Sequence, residues 1–383
     1  MKSLFNKRLF EKAGYVMKMI IAVPIAFFFH RSLISKRLWL IGIQYDRYEN
    51  NCKEFYEYII SHNENAYWVI NKKNEENFIK YVPKDRIIYR GTIRNYIYAW
   101  ACMVGAYSAS DFDIAPGYFR IFGKKSCLVN LSHGYDTIKM MDPFYYKRMP
   151  SDIIICASKQ ERDDKVKYFS ATPEKTVITG FARCDAFEYK ENDEIKNIMI
   201  MPTWRDWYIS ERIQLTDSDL YRAYKQLLEL LSKKVGEDVQ LYFLFHPVMA
   251  DYFKQEEIYK ADNITYVFEP SMVNKYLRQT DLFITDYSSI SYDCLYMKKP
   301  VIFYWFDYND YNNKRGLFRD KDSFENVCFD AEEVVDCYAK IVCSSRKYSD
   351  SDRNKYWNFF DKNNSKRIYE TICNNFKVIN WEK

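Results

Sequence analysis

The sequence predicts an α/β protein made of two consecutive parallel-sheet units. Three observations carry this. From residue 37 onward, short apolar runs alternate with segments of helical spacing, the pattern of parallel strands joined by helical crossovers. The charge-rich stretch EYKENDEIK at 188–196 interrupts the alternation as an interdomain linker does, and the alternation restarts after it. Several apolar runs end in polar clusters, as strands do when their carboxyl ends border a ligand crevice. A chain of 383 residues has room for two such domains, each expected to be Rossmann-like.

Composition narrows the choice. At 48% hydrophobic residues the chain is not disordered. Its net charge of +5, from 57 basic and 52 acidic residues, is too balanced to argue for nucleic acid, but leaves room for a basic patch facing an anionic surface or substrate. The cysteines are scattered without a CxxC pair and no Cys/His spacing fits a zinc site, so buried reduced thiols are expected. A Walker loop and a GxGxxG fingerprint are both missing, which argues against P-loop NTPases and ordinary dehydrogenases.

Residues 1–37 begin basic, with Lys2, Lys7, Arg8, Lys12 and Lys18, continue through an apolar run at 19–29, and end in Arg31, Lys36 and Arg37. The run is shorter than the roughly 20 residues of a spanning helix. An interfacial segment on an anionic leaflet is expected; a helix packed on the body is the alternative. Strands follow at 37–43, 66–70, 86–89 and 104–108, with helices at 51–62, 74–81 and 92–103. The next strand, CLVNLSHG at 127–134, ends in His133 and Gly134, with Lys139 shortly after. Gly134 permits close backbone approach. A histidine at a strand's carboxyl end points into the crevice and suits a general base; a hydrogen-bonded structural histidine is equally open. Asp111-Phe112-Asp113 has a DxD form, but a surface loop is expected there. Strands at 152–158 and 176–180 flank a charged helix at 160–169. Arg183 and Asp185, just beyond, either line the cleft or pair with each other.

In the second half, strands at 198–201, 239–245, 264–268, 282–285 and 300–305 alternate with helices at 219–235, 272–278 and 290–297. Three of these strands end in polar groups: Thr203, Arg205 and Asp206; His246 and Pro247; Asp286, Ser288 and Ser289. Carboxyl ends of parallel strands share one edge, so the three can converge. The turn at 286–289 combines two hydroxyls with a helix amino end, which favours phosphate; helix capping is the plainer reading. Asp293, in the following helix, is a further cleft candidate. The polar stretch at 307–319 is expected to be a loop whose Lys314 and Arg315 can meet phosphates. Helices at 331–343, 353–360 and 365–376 close the chain.

The stretches SHGYDTIK, TGFARCDAF, MPTWRD, LFHP and TDYSSISYDCLYMKKPVIFY, with the trailing DYNDY and RG, resemble the CDP-glycerol glycerophosphotransferases, the primases and polymerases of teichoic-acid and capsule synthesis. They occur in the family's order across about 39–318. The resemblance implies a two-domain architecture of the glycosyltransferase B type. With donor and acceptor assigned to the C-terminal and N-terminal halves by the resemblance, and the bounds set by the basic start, the linker and the closing helices, the expected domains are 1–37 for the membrane-associating segment, 38–190 for an acceptor domain, 191–345 for a nucleotide-donor domain, and 346–383 for helices closing the cleft. His133 matches the histidine of the family's HG motif and His246 that of its HP motif, near the donor phosphates. Arg205 and Asp206 match its TWRD pair, Ser288 and Ser289 its DYSS serines, and Arg183 and Asp185 a PRND-like stretch; Arg205, Asp286, Ser288, Ser289 and Arg315 are expected on the donor phosphates. Two departures, Tyr135-Asp136 for Thr-Pro and Phe181-Ala182 for Tyr-Pro, lie on the acceptor side.

The implied activity is transfer of glycerol phosphate, or a related polyol phosphate, from CDP-glycerol or another CDP-polyol to a hydroxyl of a polymer or lipid-linked acceptor, with release of CMP. The expected place is the cytoplasmic face of a bacterial membrane, held peripherally. No cofactor or metal-ligand set is evident, and a divalent cation is left open. The rival reading is a B-type glycosyltransferase using a nucleotide-sugar for cell-surface polysaccharide.

Overall fold

The computed structural model describes residues 2–122, 126–136, 138–188, 194–252, 257–269, 272–344 and 347–378, with the side chains of 2–11, 30, 209, 247 and 376–378 outside that description. Its strands form two sheets. The first contains β1 (Leu38–Gly42), β2 (Asn65–Ile70), β3 (Ile87–Tyr89), β4 (Cys102–Tyr107), β5 (Cys127–Asn130), β6 (Ile153–Cys156) and β7 (Thr176–Ile178). The second contains β8 (Asn197–Met201), β9 (Gln240–Leu244), β10 (Ile264–Val267), β11 (Leu282–Thr285), β12 (Val301–Tyr304) and β13 (Val327–Cys328).

Strand order is β3-β2-β1-β4-β5-β6-β7 in the first sheet and β10-β9-β8-β11-β12-β13 in the second, with all neighbours parallel. Each sheet starts in the middle, grows to one side, then returns and grows to the other. The switch points therefore lie between β1 and β4 and between β8 and β11, where an open α/β sheet binds ligands at its carboxyl edge. The central strands are apolar along their length because helices cover both faces. Ile284 of β11, for example, is fully buried and lies in register between Ile200 and Ile302.

The chain divides into two compact units, and the division departs from the expected boundaries. The first unit is Met1–Tyr135, Asp142–Ala186 and Trp357–Lys383; the second is Asp136–Met141 and Phe187–Tyr356. Residues 136–141, expected in the acceptor domain, belong to the second unit because Lys139 and Leu317 form an antiparallel bridge. Met140 N donates to Gly316 O at 3.1 Å and Phe318 N to Ile138 O at 2.8 Å. The closing helices, expected together, are split between the units. Of the expected linker, 189–193 lie outside the described residues.

The stretch at 307–319, expected to be a loop, contains the helix Tyr308–Arg315. Tyr311, buried and stacked on Tyr287 with centroids 3.9 Å apart, anchors it. Asp111-Phe112-Asp113 is not a surface loop either: both carboxylates are buried. Asp113 accepts from Ala109 N and Ser110 N, and Asp111 pairs with Arg120 at 2.8 Å.

The N-terminal segment is a helix, Lys2–Phe28. Met19, Ala22 and Ala26 are buried in one core with Tyr96, Ala99 and Leu128 of the first unit. Its other face carries Met17, Ile20 and Phe28, which are 62%, 61% and 81% exposed. Among the described residues no helix is long and apolar enough to cross a membrane.

Candidate active site

In the second unit, adjacent strands β8, β11 and β12 deliver Arg205, Asp286 and Asp307 to one place. Arg205 is fully buried. Its Nη1 donates to Thr203 O at 2.6 Å and to Asp286 at 2.5 Å; Nη2 donates to both oxygens of Asp307 at 3.0 and 2.9 Å; Nε donates to Asp307 at 3.2 Å. A guanidinium has five N–H donors, and all five are engaged. Burial pulls the Arg205 pKa down, but Asp286 and Asp307 outweigh it and hold the charge. The rings of Tyr287, Phe306 and Tyr311 lie 5.4, 5.3 and 4.9 Å from its carbon.

Arg205 and Asp286, the pair expected on donor phosphate, are bonded to each other and with Asp307 form a buried frame. Asp286 Oδ1 accepts from Thr203 N at 2.7 Å and Tyr287 N at 2.6 Å, and its carbonyl accepts from Trp305 Nε1 at 2.7 Å. The third member, Asp307, also accepts from Tyr287 OH at 3.1 Å. Sequence reasoning placed Asp307 in a loop and assigned it no role.

The other candidate residues of the second unit are of a different kind. Thr203 Oγ1 is buried and has no hydrogen-bond partner among the described residues. Lys139 is half-buried; burial lowers its pKa to about 8, with Asp286 opposing that shift and Arg315 and Arg205 adding to it. Arg315 meets Asp206 at 3.4 Å with both side chains more than half exposed, a weak and exchangeable pair. Ser288 is buried, and its Oγ accepts from Ile290 N at 3.4 Å; Ser289 is half-buried and makes no capping bond. The helix they precede, Ile290–Tyr296, has seven residues, so its dipole adds little and attraction for an anion falls to the side-chain cations. Asp293 is buried on that helix. His246 follows β9 half-exposed, with Nδ1 accepting from Val248 N at 3.3 Å, so in the neutral ring the proton sits on Nε2. Pro247 opens a short helix, and its side chain lies outside the described residues.

In the first unit, His133 is exposed just past β5. The residue before it, Ser132, has φ +58° and is held there by Asn130 Oδ1, which accepts from Ser132 N at 2.8 Å. Ser132 Oγ donates to Gly134 O at 2.7 Å. Arg183 Nη1 donates to His133 O at 3.2 Å. Asp185, expected either to line the cleft or to pair with Arg183, caps the last helix: its oxygens accept from Asn364 N at 2.9 Å, Asn364 Nδ2 at 2.8 Å and Ser365 N at 2.7 Å.

A family model described as CDP-Glycerol:Poly(glycerophosphate) glycerophosphotransferase matches residues 24–374. The chain is 24% identical to the minor teichoic acid biosynthesis protein GgaB of Bacillus subtilis (strain 168), over 88% of this chain and 40% of that one. It is 26% identical to the teichoic acid glycerol-phosphate primase of the same organism, over 62% of this chain and 63% of the relative. It thus spans less than two thirds of the length of either. Its fold is that of the wall teichoic acid polymerase TagF, with a TM-score of 0.71 at 17% identity and 99% of each chain covered.

Proposed function

The chain belongs to the CDP-glycerol:poly(glycerophosphate) glycerophosphotransferase family, and on that premise we propose that it transfers glycerol phosphate from CDP-glycerol to an acceptor hydroxyl in the synthesis of a teichoic-acid-like polymer. One observation carries the reading. The Arg205–Asp286–Asp307 frame consumes its own charges, yet the Lys139 ammonium, Thr203 Oγ1 and the Ser288 hydroxyl beside it remain uncommitted or weakly committed donors. That is a pre-organised donor set for a pyrophosphate beside the switch point of β8 and β11.

In this reading an acceptor oxygen attacks the distal phosphorus of the donor. The new P–O bond forms, the bond to the bridging oxygen breaks, and CMP leaves. His133 takes the proton of the attacking hydroxyl. Lys139, Arg315 and the Nε2–H of His246 stabilise the charge on CMP. Positioning and electrostatics supply most of the rate, as in other phosphoryl transfers. The N-terminal helix, with one face buried and an apolar face exposed, supports peripheral attachment to an anionic membrane surface; the cytoplasmic leaflet, where nucleotide donors are available, is the proposed side.

The test is CMP release from CDP-glycerol with mass spectrometry of the product. A new phosphodiester is expected; a new glycosidic bond from a nucleotide-sugar would favour the rival glycosyltransferase. His133→Ala is expected to lose about 10²- to 10⁴-fold in turnover, and near-normal turnover would remove His133 from the mechanism.

A further inference from the structure

The loop that presents His133 is tied down from behind by a residue no motif contains. Asn51, near the start of the helix Asn50–Ser61, is fully buried. Its Nδ2 donates to Leu131 O at 2.8 Å and to Ser132 O at 3.0 Å, the two carbonyls immediately before His133. Its Oδ1 accepts from Arg183 N at 3.1 Å. One amide thus joins the loop after β5 to the loop after β7, and Arg183 returns from the second loop to the carbonyl of His133 itself. The orientation is chemically determined, because two carbonyls need donors and a backbone N–H needs an acceptor. No other side chain of this size supplies both in that geometry; Asp would set a carboxylate oxygen against two carbonyls.

The left-handed backbone of Ser132 gives the clamp a purpose beyond packing. A non-glycine residue at φ +58° is costly and persists only where its surroundings impose it. Asn130 holds its N–H and Asn51 its carbonyl. Released from either, Ser132 relaxes toward negative φ and His133 swings with it.

We infer that Asn51 is the positioning residue for His133, fixing the imidazole at the carboxyl edge of the first sheet through the carbonyls of Leu131 and Ser132. The inference rests on the reading of His133 as the acceptor-side base.

The experiment measures CMP release and melting temperature for Asn51→Ala, Asn51→Ser, His133→Ala and the double variant Asn51→Ala/His133→Ala. Asn51→Ala is expected to lower kcat about 10²-fold, the scale of a small misplacement of a reacting group, while KM for CDP-glycerol changes less than about threefold. Asn51→Ser retains one donor and should recover part of the loss; it also carries the test should the Ala variant not fold. The double variant should be no slower than His133→Ala, since a residue acting only through another adds nothing once that partner is gone. A multiplicative double loss, or a kcat for folded Asn51→Ser and Asn51→Ala equal to wild type while His133→Ala is impaired, overturns the inference alone. Full activity of His133→Ala overturns the reading beneath it.

Discussion

The guanidinium of Arg183 lies over the backbone of Gly134, so closely that a Cβ placed on that glycine would stand 3.2 Å from Nη1 and 3.4 Å from Nη2. A side chain here would press on the guanidinium. Gly134→Ala pushes the guanidinium back by a few tenths of an ångström and weakens its bond to the His133 carbonyl, at a cost of about 1 kcal/mol. Turnover is expected to fall about tenfold with a change in melting temperature of no more than a few degrees. A variant of wild-type kcat would show that the Arg183 bond has no bearing on His133.

The frame residues predict a stability effect rather than a binding one. Asp307→Ala strips acceptors from three N–H groups of a buried arginine and should cost about 3 kcal/mol. Asp307→Asn keeps the shape and one acceptor, and it also removes a carboxylate that burial already pushes upward in pKa despite Arg205; its loss should be nearer 1 kcal/mol. Urea unfolding of the two variants checks the order, and equal losses would argue against a frame built on hydrogen bonds.

Lys139 predicts a pH limb. Its pKa of about 8 lies below the ordinary lysine value of about 10.4. The ammonium is present below pH 8 and is lost as pH rises through that value. An anionic donor should therefore bind progressively worse above pH 8, with KM rising at most about tenfold per unit. Lys139→Met should raise KM at pH 7 and abolish the limb. The stability effect has the opposite sense: between about pH 8 and 10.4 the unfolded chain holds a proton that the folded one has released, so this group adds stability as pH rises. A limb that survives in Lys139→Met assigns it to another residue.

The exposed face of the N-terminal helix predicts membrane partitioning. Ile20→Asp combined with Phe28→Asp should reduce co-sedimentation with phosphatidylglycerol vesicles by about tenfold or more, since each apolar side chain withdrawn from water contributes about 1.5–3 kcal/mol. Equal sedimentation of wild type and variant would sink the attachment proposal.

The strands were legible because parallel strands covered on both faces must be apolar throughout. The runs at 198–201 and 282–285 could hardly read otherwise, and β8 and β11 fall there. The helix Tyr308–Arg315 left no such trace: its one buried residue, Tyr311, gives no periodic stripe. That Thr203, Arg205 and Asp286 meet was legible from their strand ends, but not which of their groups would be spent on one another. Nothing local to Arg205 says that carboxylates 81 and 102 residues later will occupy it. Nothing local to Asn51 says that its amide reaches carbonyls 80 and 81 residues away. Such assignments depend on which chain segments meet, and spacing within one segment does not carry that.

The cap that Asp185 places on the helix Asn364–Val378 has a temporal side. The first unit is discontinuous: between Ala186 and Trp357 the chain builds the second unit before returning. A ribosome moving at 5–20 residues per second needs about 10–30 s to cover that interval. For that time the nascent first unit holds a carboxylate at 185 with no helix to cap and an uncovered face where the last helix will dock, while the second unit can already close on its own residues.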